Sequence, residues 1–136
     1  NGGEDVPASA SRIHYRGRSV VLSGDTTFNE NRIRHAGGAA LLVHEVTAAA
    51  SAAAENEAQL KRIRANHTTP DQAAIVFSRV QPQLAVYNHL LLFGGAKADE
   101  LIPATRASYA GPLIVGEDLM AFDIGSDVKV IRPQAI

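Results

Sequence analysis

At 136 residues, 46% hydrophobic and 20% charged, the chain has the make-up of one globular domain with enough apolar residues for a core. A formal net charge of −1 excludes a global basic field that would draw it onto nucleic acid, and no apolar run is long enough to cross a membrane. With no cysteine there is no disulfide framework, no thiolate zinc site and no cysteine nucleophile.

The opening Asn1-Gly2-Gly3-Glu4-Asp5 has neither an initiator Met nor a leader pattern, as expected of a processed or truncated polypeptide. Residues 1–10 read as loop. Residues 12–15, a turn at Gly17 and residues 19–22 predict a β-hairpin. The continuous run Val20-Val21-Leu22 predicts a strand covered on both faces. After the tight loop Ser23-Gly24-Asp25-Thr26-Thr27, residues 29–35 predict a short helix capped by Asn29 and stopped by Gly37-Gly38. Residues 40–43 predict a buried strand ending at His44-Glu45. Residues 55–64 read as helix, and 48–54 as helix or lid. Thr69-Pro70-Asp71-Gln72 is a helix start with an N-cap Thr, Pro at the first helical position and Gln to close a capping box. That helix runs to about Val80 on an apolar stripe of Ala73, Val76, Phe77 and Val80. Residues 84–87 predict a strand delivering Asn88-His89. Residues 98–109 predict a helix that Pro103 kinks or splits. Residues 112–115, 119–122 and 128–131 predict closing strands. The order β-β-α-β-α-α-β-α-β-β-β is an α/β layering without internal repeats.

Three of these strands lead into residues able to bind metal: Asp25, His44-Glu45 and His89. A fourth candidate, His67, precedes a capped helix. Binding groups of α/β sheets collect at strand ends, and carboxylate oxygen and imidazole nitrogen both suit zinc. Each residue also has a plain structural reading. Asp25 serves equally as a turn residue bonding its own backbone, His67 as a loop residue, and His89 as a histidine bonded to a carbonyl. Residue spacing alone therefore names no reaction.

Wording is more specific than spacing. The blocks Arg18-Ser19-Val20-Val21-Leu22-Ser23-Gly24-Asp25-Thr26, Asn31-Arg32-Ile33-Arg34-His35-Ala36 and Leu42-Val43-His44-Glu45-Val46 resemble the second half of the metallo-β-lactamase superfamily. The resemblance is to its ribonuclease Z-like branch, which also holds arylsulfatases of that fold. It continues through Asn66-His67-Thr68-Thr69-Pro70-Asp71-Gln72-Ala73 and Leu84-Ala85-Val86-Tyr87-Asn88-His89 to Val115-Gly116-Glu117-Asp118-Leu119-Met120, in the family's order, over roughly residues 12–125. It implies half of a four-layer αββα sandwich, with residues 1–136 as the C-terminal half of the domain and the N-terminal metal-binding half absent from this chain.

By the same resemblance, Asp25 matches the aspartate that bridges two metals, and His89 a histidine ligand of the second. Glu45 matches the acidic residue of a His-Glu-Ala-Thr-like motif, here His44-Glu45-Val46-Thr47, with Val46 the departure. His67 matches the histidine which that glutamate orients and which protonates the leaving group; a carboxylate on one ring nitrogen fixes the tautomer and raises the basicity of the other. The implied cofactor is a zinc pair, with manganese or iron as alternatives, in which two metals about 3.5–4 Å apart activate a water and polarise the scissile centre.

The family's His-x-His-x-Asp-His motif has no counterpart here. Only His14 precedes Asp25, in a hairpin strand without a His-x-His partner, and it reads as structural. Asp25 and His89 are too few donors for a stable zinc site, so the chain alone is expected to bind zinc weakly and to be inactive. The expectation for the complete protein is a metal-dependent hydrolase of phosphodiester, sulfate ester, lactone or related substrates. Neutral charge, with no basic cluster beyond Lys61-Arg62-x-Arg64, leans toward a small ester-like substrate over tRNA. The alternative is a non-catalytic fragment or subunit completed by a homo-oligomer or by the missing N-terminal half, because half a sandwich leaves an apolar sheet face to cover.

Overall fold

A five-stranded sheet in the order β1-β2-β3-β4-β5 organises the computed structural model, which describes residues 9–49 and 57–134. β1 (Ser11–Tyr15) and β2 (Arg18–Leu22) pair antiparallel across Arg16-Gly17, both at positive φ as a two-residue hairpin turn requires. β3 (Leu41–Ala49), β4 (Leu84–Phe93) and β5 (Leu113–Val115) add in parallel. Between these strands run α1 (Glu30–Ala36), then α2 (Glu57–Asn66) and α3 (Pro70–Val80), then a 3-10 turn at Ala98–Glu100 leading into α4 (Leu101–Arg106). β6 (Ala121–Ile124) and β7 (Val128–Ile131) form a separate antiparallel hairpin. The element order is the one the sequence predicts. No helix among the described residues is long and apolar enough to cross a membrane.

Strand side chains alternate between faces. Val21, Leu42, Ala85, Tyr87 and Leu113 join Ile33, Val76, Phe77, Val80 and Leu101 in the main core. Leu41, Leu84 and Val86 form a second cluster with Val20, Val43 and Ile114, packed against Phe122, Ile124, Val128 and Val130 of the β6–β7 hairpin. The expectation that β2 is covered on both faces is corrected: Val21 is buried, but Val20 is half-buried and Leu22 is 39% exposed.

Local chemistry accounts for the helix ends. Asn29 caps α1, its side chain accepting from the Asn31 N–H at 2.8 Å. Arg12 of β1 ties down the other end through the carbonyls of His35 and Gly37. At α3 the expected capping box is present, with Gln72 Oε1 accepting the Thr69 N–H at 3.1 Å. The helix predicted at 98–109 is instead the 3-10 turn at Ala98–Glu100 followed by α4, which ends at Arg106. Pro103 is the third residue of α4, inside the first turn, where its missing N–H has no partner to lose. An i→i+3 bond from the Ser108 N–H to the Thr105 carbonyl tightens the end.

β3 and β4 are longer than predicted. β3 does not stop at His44-Glu45 but runs on to Ala49, and β4 runs past His89 to Phe93. Ladder pairing with a neighbour sustains both strands beyond their apolar runs. Of the segment read as helix or lid, Ala48 and Ala49 belong to β3; residues 50–54 lie outside the described residues, as do 1–8. Leu119, expected in a strand, precedes β6 at φ 65° and is 88% exposed.

His44 lies edge-on to Phe77, ring centroids 5.9 Å apart, and its Nδ1 donates to the Glu45 carbonyl at 2.7 Å. Burial holds its imidazole down at about 4, with Arg32 adding to the fall and the hydrogen bond opposing it. A folded-state value below the usual 6.5 means that only the unfolded chain takes up the proton as pH falls from 6.5 toward 4. Stability is therefore whole above pH 6.5 and declines by on the order of 3 kcal/mol by pH 4. In denaturant titrations across that range, His44→Gln should flatten the decline. An unchanged slope would assign it to other groups.

Candidate functional site

The loop after β2 is shaped by Gly24. It sits at φ 60°, and a Cβ there would stand 2.5 Å from the Ser9 carbonyl oxygen. Both facts demand glycine, and the turn presents Asp25 to solvent. Arg32 of α1 donates to the Ser23 carbonyl at 2.7 Å, and the Ser23 hydroxyl accepts the Glu45 N–H at 3.0 Å, tying the loop to β3.

His89 occupies a strained position inside β4. Glu45 pairs with Asn88 and Val46 with Leu90, so His89 is the unpaired residue of a β-bulge, at φ 44°. A bulge re-aims a side chain, and left-handed backbone at a non-glycine residue persists only where its surroundings enforce it. The sequence-based reading placed His89 at a strand end. The structure places it in mid-strand and exposes it by the bulge.

Four candidate residues meet in two pairs. Asp25 Oδ1 lies 3.4 Å from His89 Nδ1, with both side chains about half or more exposed, at 65% and 47%. Glu45 Oε1 lies 3.3 Å from His67 Nδ1, with Glu45 only 1% exposed. The imidazoles of His67 and His89 stand 6.3 Å apart between ring centroids. His14 is exposed on β1 and takes no part.

Glu45 is the buried centre. Its Oε1 accepts the Thr26 N–H at 3.0 Å and the Thr68 N–H at 3.1 Å. The residues next in chain after Asp25 and after His67 are thus held on one oxygen atom. Burial pushes the Glu45 carboxyl above the ordinary carboxylate range; the Thr26 amide, the His67 imidazole and the Thr68 amide pull the other way. Glu45 Oε2 has no hydrogen-bond partner among the described residues. His67 Nδ1, within ion-pair range of Oε1, is out of line for a hydrogen bond. Sequence reasoning named Asp25, Glu45, His67 and His89 but missed Thr26 and Thr68. Their only signal is a hydroxyl residue directly after each candidate.

The donor chemistry can be tested against a metal. Two ligands about 2.0–2.1 Å from one zinc at a tetrahedral angle stand about 3.3–3.4 Å apart. The Asp25–His89 separation of 3.4 Å is that spacing. No group of three His, Cys, Asp or Glu able to hold a metal occurs among the described residues. The pair fits as two donors of a larger site.

The chain is 32% identical over 105 residues to a ribonuclease Z of Haloarcula marismortui, covering 76% of this chain and 32% of that protein. It is 32% identical over 116 residues to a ribonuclease Z of Mycobacterium avium, covering 84% and 41%. It spans about a third to two fifths of the length of these curated relatives. No family model matches. In fold it is similar to the metallo-β-lactamase-fold protein YhfI from Bacillus subtilis, with a TM-score of 0.62 at 18% identity over 79% of this chain and 41% of that one. Human tRNase Z, short form, gives a TM-score of 0.52 at 19% identity over 90% and 37%.

Proposed function

This chain is ribonuclease Z-like in sequence and carries half of the metallo-β-lactamase sandwich in fold, and from that premise we propose that it supplies the later half of the site of a metal-dependent hydrolase acting on phosphodiesters. The observation that carries the reading is the meeting of Asp25 with His89 beside Glu45 with His67.

In this reading Asp25 and His89 hold metal, zinc first, with manganese or iron as alternatives. The remaining donors come from an N-terminal half or from a partner copy. Metal held there supplies water activation and polarisation of the scissile centre. The rest falls to the chain's own side chains. Glu45 faces Nδ1 of His67, which orients the ring and leaves Nε2 for the substrate. His67 holds a proton there and passes it to the departing oxygen, the general-acid half of the reaction. Glu45 is supported by backbone amides, so its geometry does not depend on the imidazole.

Phosphodiester is preferred over sulfate ester, lactone or β-lactam because the cited curated relatives are ribonucleases Z. A small ester-like substrate is the second reading, favoured by the net charge of −1, with tRNA the larger alternative. The test offers the full-length, zinc-loaded protein bis(p-nitrophenyl) phosphate, p-nitrophenyl sulfate and a 3′-extended precursor tRNA. Hydrolysis of a phosphodiester that a chelator stops and zinc restores is expected. Turnover of the sulfate ester alone, or turnover indifferent to the chelator, would overturn it. No turnover of any substrate with metal bound would favour a non-catalytic subunit.

A further inference from the structure

We propose that Thr68 is a positioning residue that locks the Asp25 loop to the His67 loop. The inference rests on the reading that Asp25 and His67 serve one site. Thr68 is fully buried, and each of its polar groups has a separate partner. Its hydroxyl donates to the Thr26 carbonyl at 2.6 Å, and its N–H donates to Glu45 Oε1 at 3.1 Å. Its carbonyl accepts the Thr47 N–H at 2.8 Å. Thr26, also buried, returns to the same Glu45 oxygen through its N–H at 3.0 Å.

The result is a closed ring, Thr68 to Thr26 to Glu45 and back to Thr68. It fastens the peptide after Asp25 to the peptide after His67 on both the donor and the acceptor side. The two amides fix each loop to Glu45 separately. Only the Thr68 hydroxyl joins the loops directly, so it sets the separation between the carboxylate of Asp25 and the imidazole of His67. Because the hydroxyl is shut away from solvent, water cannot replace it when it is removed. Neither threonine reaches the exposed rim where Asp25 and His89 lie, so a change at Thr68 acts through position and not through contact with substrate.

The test uses Thr68→Val, which keeps the shape and removes the donor, and Thr68→Ser, which keeps the donor and removes a methyl. Both are made in the full-length protein beside Asp25→Ala. Zinc affinity is read by chelator competition, kcat and KM with bis(p-nitrophenyl) phosphate, and fold by circular dichroism melting. Thr68→Val should weaken zinc binding and lower kcat by roughly 10–100-fold, the range for loss of a partner that orients a ligand, with KM nearly unchanged. Thr68→Ser should return both to within about threefold of the parent. That rescue separates positioning from stability, since a buried methyl lost in serine lowers melting temperature without touching the hydroxyl bond. Thr68→Val at parental zinc affinity and kcat beside an inactive Asp25→Ala overturns the inference alone, as does a serine variant as impaired as the valine. Asp25→Ala at parental values overturns both the inference and the functional reading beneath it.

Discussion

His67→Ala should retain its metal while turnover falls by roughly 10²–10⁴-fold, the usual worth of a general acid. The imidazole faces Glu45 at 3.3 Å, a buried carboxylate whose Oε1 already accepts two amides, whereas the proposed metal ligands Asp25 and His89 are exposed. In the proposed reading its removal takes away a proton source and leaves the ligands in place. The loss should depend on the leaving group. A nitrophenyl ester departs with little need of a proton and should be spared most of the loss, while an RNA phosphodiester, leaving as an alkoxide, should bear all of it. Glu45→Gln should be milder. Glutamine keeps an oxygen for the Thr26 and Thr68 amides but loses the negative charge beside the ring. Metal stoichiometry measured beside turnover, for one good and one poor leaving group, decides the matter. Metal lost from His67→Ala would make it a ligand, and equal losses for both leaving groups would remove its claim to be the acid.

Asp25→Ala should empty the site, with metal content and turnover falling together and by more than the roughly 10–100-fold that loss of a ligand's supporting partner costs. In the proposed reading the metal is held by Asp25 and His89, which stand 3.4 Å apart on the exposed rim, and a two-donor set that loses its anion keeps a single nitrogen. His89→Ala should act in the same direction. The bulge at φ 44° is held in place by the ladder on either side, so the backbone change is small and the loss belongs to the imidazole. Elemental analysis of dialysed protein reads the first quantity and a chelator-controlled assay the second. Full metal content in Asp25→Ala would return that residue to the plain role of a turn former.

Much of this molecule is written locally. The hairpin at 11–22, the capped starts of α1 and α3 and the sequence of eleven elements follow from apolar periodicity, Gly and Pro placement and side chains that bond their own backbone. Those signals act over a few residues, so they survive in the sequence. The wording around Asp25, Glu45, His67 and His89 singled out the same four residues that the fold brings into two pairs. Where local signals misled, a distant partner had intervened. β3 and β4 run past their apolar cores because each supplies the other's ladder, and β2 is half-exposed on one face because the β6–β7 hairpin packs against only part of the sheet.

What tertiary structure alone decided is how the site is held. The bulge that turns His89 outward arises from a one-residue mismatch between two strands, and neither strand's sequence records the register of the other. Glu45 gathers amides from positions 19 and 23 residues away in the chain. Every residue but proline carries such an amide, so no residue type at Thr26 or Thr68 could announce that its N–H would be used there.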